Sequence, residues 1–388
     1  MSSIQSVTFA ERQTIARPNS FEIDLDAVVH NIRALRHRVG RDVLLFAALK
    51  ANAYGFGVIP VARAALAAGA DALAMVDVSD AINLRQLGID VPILLYGGIP
   101  ADRELVEALE AHDLMPTLLD LEDARTYSRH ATGRLPVFLK FDVGLERMGM
   151  APEDVPAIAA ALSGLPKLKL HGAYTHLHVP PNADPLATDA YMRRQFRRFS
   201  TALEALKRCG HDPRITMAAS SAVLMQTNDM NLNAVDPGHL LFGMYPAGPR
   251  ATPLDLRAAF HALKSELIQV KTLSRPESLE MAPFPVRDGM RIGVLPLGIA
   301  DGMSQLHCGQ VLIRGRRVPV LGVSLEHTRV DLTEVEAGRG DEVVVIGRQG
   351  DEEIRPDEVL THLGQHVPSA LPLAVHQGVP RRYLGGVS

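Results

Sequence analysis

The stretch VLLFAALKANAYGFG, residues 43–57, sets an unbroken apolar run against a lysine and then a glycine-punctuated loop. An apolar run without alternation reads as a strand buried on both faces, the kind found in parallel sheets. Such a strand needs helices packed over it, and VIPVARAALAAG (58–69) follows at once with helical spacing of its apolar residues. Seven further runs repeat the unit: ALAMVDV, VPILLYG, MPTLLD, LPVFLKFDV, LKLHGAYTHL, RITMAAS and LNAVDPG. Helical patterns such as RELVEALEAHD (103–113) and MRRQFRRFSTALEALKRCG (192–210) lie between them. Eight strand–helix units in about 220 residues predict a closed (β/α)8 barrel of the TIM type. A doubly wound open sheet is the alternative, but no Gly-x-Gly-x-x-Gly turn follows the first strand.

Beyond about Leu254 the pattern changes. ELIQVKTL, MRIGVLPLG, QVLIRGRRVPVLGVSL, TRVDLT and DEVVVIG lie close together, separated by Gly, Pro or Asp turns. That spacing predicts a C-terminal all-β domain. The expected division is a tail over 1–20, the barrel over 21–250 and the β-domain over 251–388, with YPAGPRATP (245–253) as the link.

The 388 residues carry 40 basic and 44 acidic side chains, a formal net charge of −4, and no basic stripe. A nucleic-acid partner is not expected. No apolar segment is long enough for a bilayer, and the polar first residues lack a signal-peptide core. The two cysteines, Cys209 and Cys308, build no disulfide framework, which fits a reducing, cytoplasmic setting.

In a barrel of this type chemistry gathers at the C-terminal ends of the strands. Those ends carry Lys50, Lys140 with Asp142 and Arg147, His176, the Ser220–Ser221 pair, and Asp236 with Gly238. Singly, each has an ordinary structural explanation: a solvated lysine, a loop salt bridge, a core histidine, a helix cap. Together on one rim they point to a site. A lysine in a drying pocket near other cations becomes an amine nucleophile. Hydroxyls and glycine amides at the later strands can hold a phosphate. A Schiff-base lysine opposite a phosphate cup describes a pyridoxal 5′-phosphate site.

These segments resemble the alanine racemase family nearly end to end. SFEIDLDAVVHNIRALR is similar to its opening strand and helix, LKANAYGFG to its cofactor-lysine motif, and FLKFDVGLERMG to its lysine–arginine segment. GAYTHLHVP, with Gln195 and Phe199 beyond it, is similar to its histidine strand and following helix. ASSAVL and DPGHLLFGMYP resemble its phosphate-binding stretches, GIADG a β-domain catalytic motif, and GVPRRY the C-terminal signature. The resemblance implies that Lys50 forms the internal aldimine and acts as base on one face of Cα. Tyr54 and Ser221 would contact the phosphate beside Ser220, and Gly238 and His239 would offer amides. His176 would lie against the pyridine ring, and Arg147 would reach the phenolic oxygen and the substrate carboxylate. Lys140 matches a lysine often carbamylated in the family. A small amino-acid substrate and a head-to-tail homodimer with shared sites are also implied.

Several positions depart from the family pattern. Asp236 stands where the family has an arginine toward the pyridine nitrogen, and a carboxylate there favours the protonated ring. Ile299 stands where the family has a tyrosine base, Ser220 replaces an asparagine, and Pro368 falls near the place of a phosphate-binding tyrosine. Ser324-Leu325-Glu326 replaces a Cys-Met-Asp run, so Glu326, or else His327 or His307, becomes the candidate second base. The expected activity is a racemase- or epimerase-like isomerisation at Cα, not alanine racemisation itself. The alternatives are a lyase of decarboxylase or aldolase type on the same scaffold, and a non-catalytic cofactor-binding protein. No metal site is expected, because His376 has no evident second ligand.

Overall fold

Each of the eight apolar runs forms a strand in the computed structural model, which describes residues 17–180, 184–246, 254–273 and 282–386. β1 (Ser20–Asp24) precedes them. The eight are β2 (Leu44–Ala48), β3 (Ala72–Met75), β4 (Ile93–Leu95), β5 (Met115–Leu118), β6 (Leu135–Phe141), β7 (Leu168–Thr175), β8 (Ile215–Ala219) and β9 (Ala234–Val235). They close in sequence order into a parallel barrel, sealed where Leu44 and Leu45 of β2 pair with Ala234 and Val235 of β9. Large and small side chains fill the inside in turn: Phe46 beside Ala72 and Ala74, Phe138 beside Gly172. A Cβ on Gly172 would strike the Phe138 ring, so the glycine makes room for the phenylalanine.

Most of the covering helices begin on a capping aspartate. Asp77, Asp102, Asp120 and Asp184 each accept a backbone N–H three residues on, at 2.8–3.0 Å, and so start α4 (Val78–Gln86), α5 (Arg103–Ala111), α6 (Leu121–His130) and α8 (Pro185–Arg208). The remaining major helices are α1 (Leu25–Val39), α3 (Val58–Ala67) and α7 (Val155–Ser163). α8 starts well before the 192–210 span expected, because Asp184 caps it and Pro185 occupies its first position.

The C-terminal strands form a mostly antiparallel sheet in the order β11-β12-β15-β14-β13-β16-β10-β1-β18, with β17 on β16. They are β10 (Phe260–Glu266), β11 (Gln269–Thr272), β12 (Arg291–Leu295), β13 (Gln310–Ile313), β14 (Arg316–Val323), β15 (Thr328–Asp331), β16 (Glu342–Gln349), β17 (Glu352–Ile354) and β18 (Arg381–Leu384). The run QVLIRGRRVPVLGVSL is two strands, folded back at Arg314–Gly315, where both residues have positive φ. The strand in SFEID joins this sheet rather than the barrel, a placement that local sequence does not reveal.

Of the described residues, one compact unit takes 22–261, 356–374 and 383–386, and the other takes 17–21, 262–355 and 375–382. The chain returns to the barrel unit at 356–374, inside the span expected to be all β. The expected boundary at 250/251 and most of the tail lie outside the described residues. Among the described residues no helix is long and apolar enough to cross a membrane.

Candidate functional site

Lys50 follows Leu49, the last residue before the chain leaves the barrel wall. Sequence reading made the next segment a loop, but it is a left-handed turn: Ala51, Asn52, Ala53 and Tyr54 have φ of 54°, 52°, 53° and 55°. L-residues avoid this region at a cost of about 1–2 kcal/mol each. Local hydrogen bonds close it. Ala53 N–H donates to Leu49 O at 3.0 Å, Gly57 N–H to Asn52 O at 3.0 Å, and Val58 N–H to the Asn52 side chain at 2.8 Å. Gly55, at φ 87°, ends the turn against the backbone of Pro372.

The turn brings Tyr54 across the later strands. Its hydroxyl lies where a Cβ on Gly238 would be, so only glycine fits there. The Tyr54 ring packs 5.1 Å from His239 and 5.6 Å from Phe242. Ser221, which opens α9 (Ser221–Leu224), accepts the N–H groups of Gly238 at 2.9 Å and Leu240 at 3.4 Å. Its oxygen is then used as an acceptor, and its proton is left to donate. His239 Nε2 meets Ser369 Oγ at 3.0 Å. Tyr54 and Ser221 thus bring two hydroxyls, with the Gly238 backbone between them, to the wall of a cavity of about 390 Å³. That donor set fits a phosphate, and Lys50 on the same cavity supplies the amine a pyridoxal carbonyl requires.

Nine residues singled out from the sequence line this cavity: Lys50, Tyr54, Arg147, His176, Ser220, Ser221, Asp236, Gly238 and His239. Burial pulls the Lys50 ammonium below its ordinary value, and the Arg147 charge adds to this while Asp236 opposes it. His176 is pushed down to about 3 by burial and by Lys50, Arg147 and Lys140, so its ring is neutral. His239 falls to about 4, again chiefly by burial. Asp236 rises to about 6 through burial, against the pull of a Tyr96 hydrogen bond and of Lys50 and Lys140. Lys140 does not line the cavity. It is buried in the barrel with its Nζ 5.6 Å from the Tyr174 ring, and burial with Arg147 lowers it to about 8.

Arg147 is carried by a loop wound round one carboxylate. Asp142 accepts the N–H groups of Gly144, Leu145, Glu146 and Arg147 at 2.8–3.1 Å. Burial pushes its carboxyl up, but the four amides together hold it below the usual value. Its contribution to stability is therefore present above the unfolded pKa and is lost as pH falls through the folded one. Replacing Asp142 by alanine should cost about 1–3 kcal/mol, read from the denaturation midpoint. An unchanged midpoint would mean the loop is held by something else.

Glu326 belongs to the other compact unit. There the structure brings together two segments that are distant in sequence: Ile299 N–H donates to Ser324 O at 3.0 Å and Ala300 N–H to Leu325 O at 2.9 Å. The result is an exposed tip of Ile299, Leu325 and Glu326. Asp301, almost wholly buried, ties the turn by accepting Gly298 N–H at 2.9 Å and the Arg17 guanidinium at 2.6 Å.

Of the cavity residues not singled out from the sequence, Tyr96 and Ser369 make side-chain hydrogen bonds to ones that were. Tyr96, one residue past β4, donates its hydroxyl to Asp236 Oδ2 at 2.7 Å and lies 5.8 Å from Lys50 Nζ. Its position at a strand end was the available signal. For Ser369 the signal was its neighbour Pro368, which falls near the place of a phosphate-binding tyrosine.

The description "Alanine racemase, N-terminal domain" matches residues 23–246, and "Alanine racemase, C-terminal domain" matches 260–383. The chain is similar to "Alanine racemase" of Symbiobacterium thermophilum, 37% identical over 377 residues covering 95% of this chain and 98% of that one. It is similar to "Alanine racemase 2" of Caldanaerobacter subterraneus, 32% identical over 377 residues with 95% of each covered. Among solved structures, alanine racemase from Bacillus anthracis with bound L-Ala-P superposes with a TM-score of 0.86 at 28% identity, over 96% of both chains.

Proposed function

The chain belongs to the alanine racemase family, whose enzymes depend on pyridoxal 5′-phosphate, and we propose that it isomerises an amino acid at Cα through Lys50. The observation that carries this reading is the Lys50 amine, depressed by burial, on one cavity with the hydroxyl cradle of Tyr54 and Ser221. When bound, pyridoxal phosphate supplies the electron-withdrawing ring that acidifies the Cα proton. Lys50 takes and returns that proton on one face. Arg147 binds the substrate carboxylate, and neutral His176 offers a flat uncharged wall. Tyr54, Ser220, Ser221, Gly238 and His239 hold the phosphate end.

Isomerisation also needs a proton on the opposite face. Ile299 can supply none, so Glu326 of a second copy is assigned that role, within a head-to-tail homodimer. A buried Lys140 near Arg147 suits the carbamylated state that would orient the arginine. A cytoplasmic setting is part of the same reading. An isoleucine at 299 in place of the tyrosine supports a substrate bulkier than alanine.

Asp236 also favours a second reading, a lyase of decarboxylase or aldolase type. A carboxylate that keeps the ring protonated makes it a stronger electron sink, which suits bond cleavage at Cα. Proton NMR of the cofactor-loaded protein with L- and D-amino acids in D₂O separates the two. Exchange of the Cα proton from both enantiomers with interconversion is expected. Washout from one enantiomer only, or a cleaved product, would replace isomerase with lyase. No exchange with any amino acid would remove the catalytic reading.

A further inference from the structure

Tyr96 enters the sequence reading only as part of the strand run VPILLYG, yet its hydroxyl donates to Asp236 on the cavity wall. We propose that Tyr96 is the positioning residue for Asp236: it occupies Oδ2 and presents Oδ1, as an anion, to the ring nitrogen of the bound cofactor. The inference rests on the reading that pyridoxal phosphate occupies this cavity with its ring nitrogen toward Asp236.

The polarity of the contact is what Tyr96 decides. A carboxyl in a dry cavity tends to take up a proton, and would then donate to a ring nitrogen rather than accept from it. A phenol O–H aimed at one oxygen makes a charge-assisted bond only with the ionised carboxylate, and so favours that form. Lys50 and Lys140 act on Asp236 in the same direction through their charge, and the hydroxyls of Tyr54 and Tyr174 lie within its field. Only Tyr96 among these touches it by a side-chain hydrogen bond.

The phenol is also held in place. Tyr96 N–H donates to Met75 O at 2.8 Å. The Tyr96 ring packs 5.8 Å from that of Tyr174, whose hydroxyl lies 3.1 Å from Thr117 Oγ1. Thr117 in turn donates to Leu95 O at 2.8 Å, on the residue before Tyr96. Tyr174 must therefore be the donor to Thr117, and the ring pair closes on the backbone that carries Tyr96. Strands β4, β5, β7 and β9 thus fix one oxygen of one carboxylate.

The test is nitrogen-15 NMR of the holoenzyme loaded with ring-labelled pyridoxal phosphate, in the wild type, Tyr96→Phe and Asp236→Asn. The expected wild-type signal is that of a protonated ring, and the Asp236→Asn signal that of an unprotonated one. In Tyr96→Phe the carboxylate loses its donor, becomes more basic and draws the shared proton toward itself. The tautomer ratio should move by about ten-fold or more toward the Asp236→Asn end. Placing 3-fluorotyrosine at position 96 strengthens the donor without changing the packing, and should move the signal the other way. If wild type and Asp236→Asn agree, the ring does not face Asp236 and the underlying reading falls. If those two differ while Tyr96→Phe matches the wild type, the role of Tyr96 is overturned. Should Tyr96→Phe not fold, an unmoved signal in the fluorotyrosine protein overturns it equally.

Discussion

Lys50→Ala should give a folded protein that shows no visible absorbance from lysine-bound pyridoxal phosphate, with Cα-proton exchange lowered about 10⁴-fold. The arrangement of Tyr54, Ser221 and Gly238 is untouched by the change, so the partners proposed for the cofactor's phosphate end remain in place. What disappears is the amine to which the proposal assigns the bond to the carbonyl and the movement of the proton. Stability should not suffer, because burial already disfavours the Lys50 charge and removing it relieves that cost. Lys50→Arg is the informative companion. It keeps a cation opposite Asp236, but a guanidinium does not deprotonate and cannot serve as nucleophile or base. Both variants should be equally inactive. A visible band that persists in Lys50→Ala would place the cofactor on another amine and sink the assignment.

Gly55→Ala should damage both fold and site, at a cost of about 3 kcal/mol or more. Two effects add. The residue sits at φ 87°, where a side chain is strained, and its Cβ would collide with the carbonyl oxygen of Pro372, a backbone atom that cannot swing away. The chain between Lys50 and Gly55 has no slack, since four residues of left-handed turn connect them. Relief at Gly55 must therefore move Lys50 or Tyr54. A thermal melt reads the first effect, and loss of the lysine-bound absorbance in the surviving folded fraction reads the second. A variant with wild-type melting and wild-type absorbance would show that the turn tolerates a side chain, and the strain argument would fail.

The barrel was readable because each strand is a short run with no polar interruption, and burial on both faces leaves that mark in the residues themselves. Lys50, His176 and Asp236 were readable for a related reason. A charged or titratable side chain just past an apolar run has one place to go, the rim, and the rim of this fold is where sites form. Tyr96 has the same address but passed as one more apolar strand residue. The left-handed turn after Lys50 could not be read, since Ala-Asn-Ala-Tyr carries no local preference for positive φ beyond its asparagine. The hydrogen bonds within it are local, and the surroundings enter through Pro372 against Gly55 and through His239 and Phe242 against the Tyr54 ring.

The sequence by itself determined the barrel's eight strands, the alternation with helices, the change to β-rich chain beyond Leu254 and the lysine at the rim. All of these are local, written in side-chain polarity at strand or helix spacing. Tertiary structure alone decided that SFEID leaves the barrel for the sheet, and that residues 356–374 return to the barrel unit so that Ser369 reaches His239. It alone decided that Tyr96 meets Asp236 across 140 residues of chain. The reason is physical: polarity and spacing act between near neighbours, whereas a hydrogen bond between distant residues exists only after the closed barrel has brought their strands together.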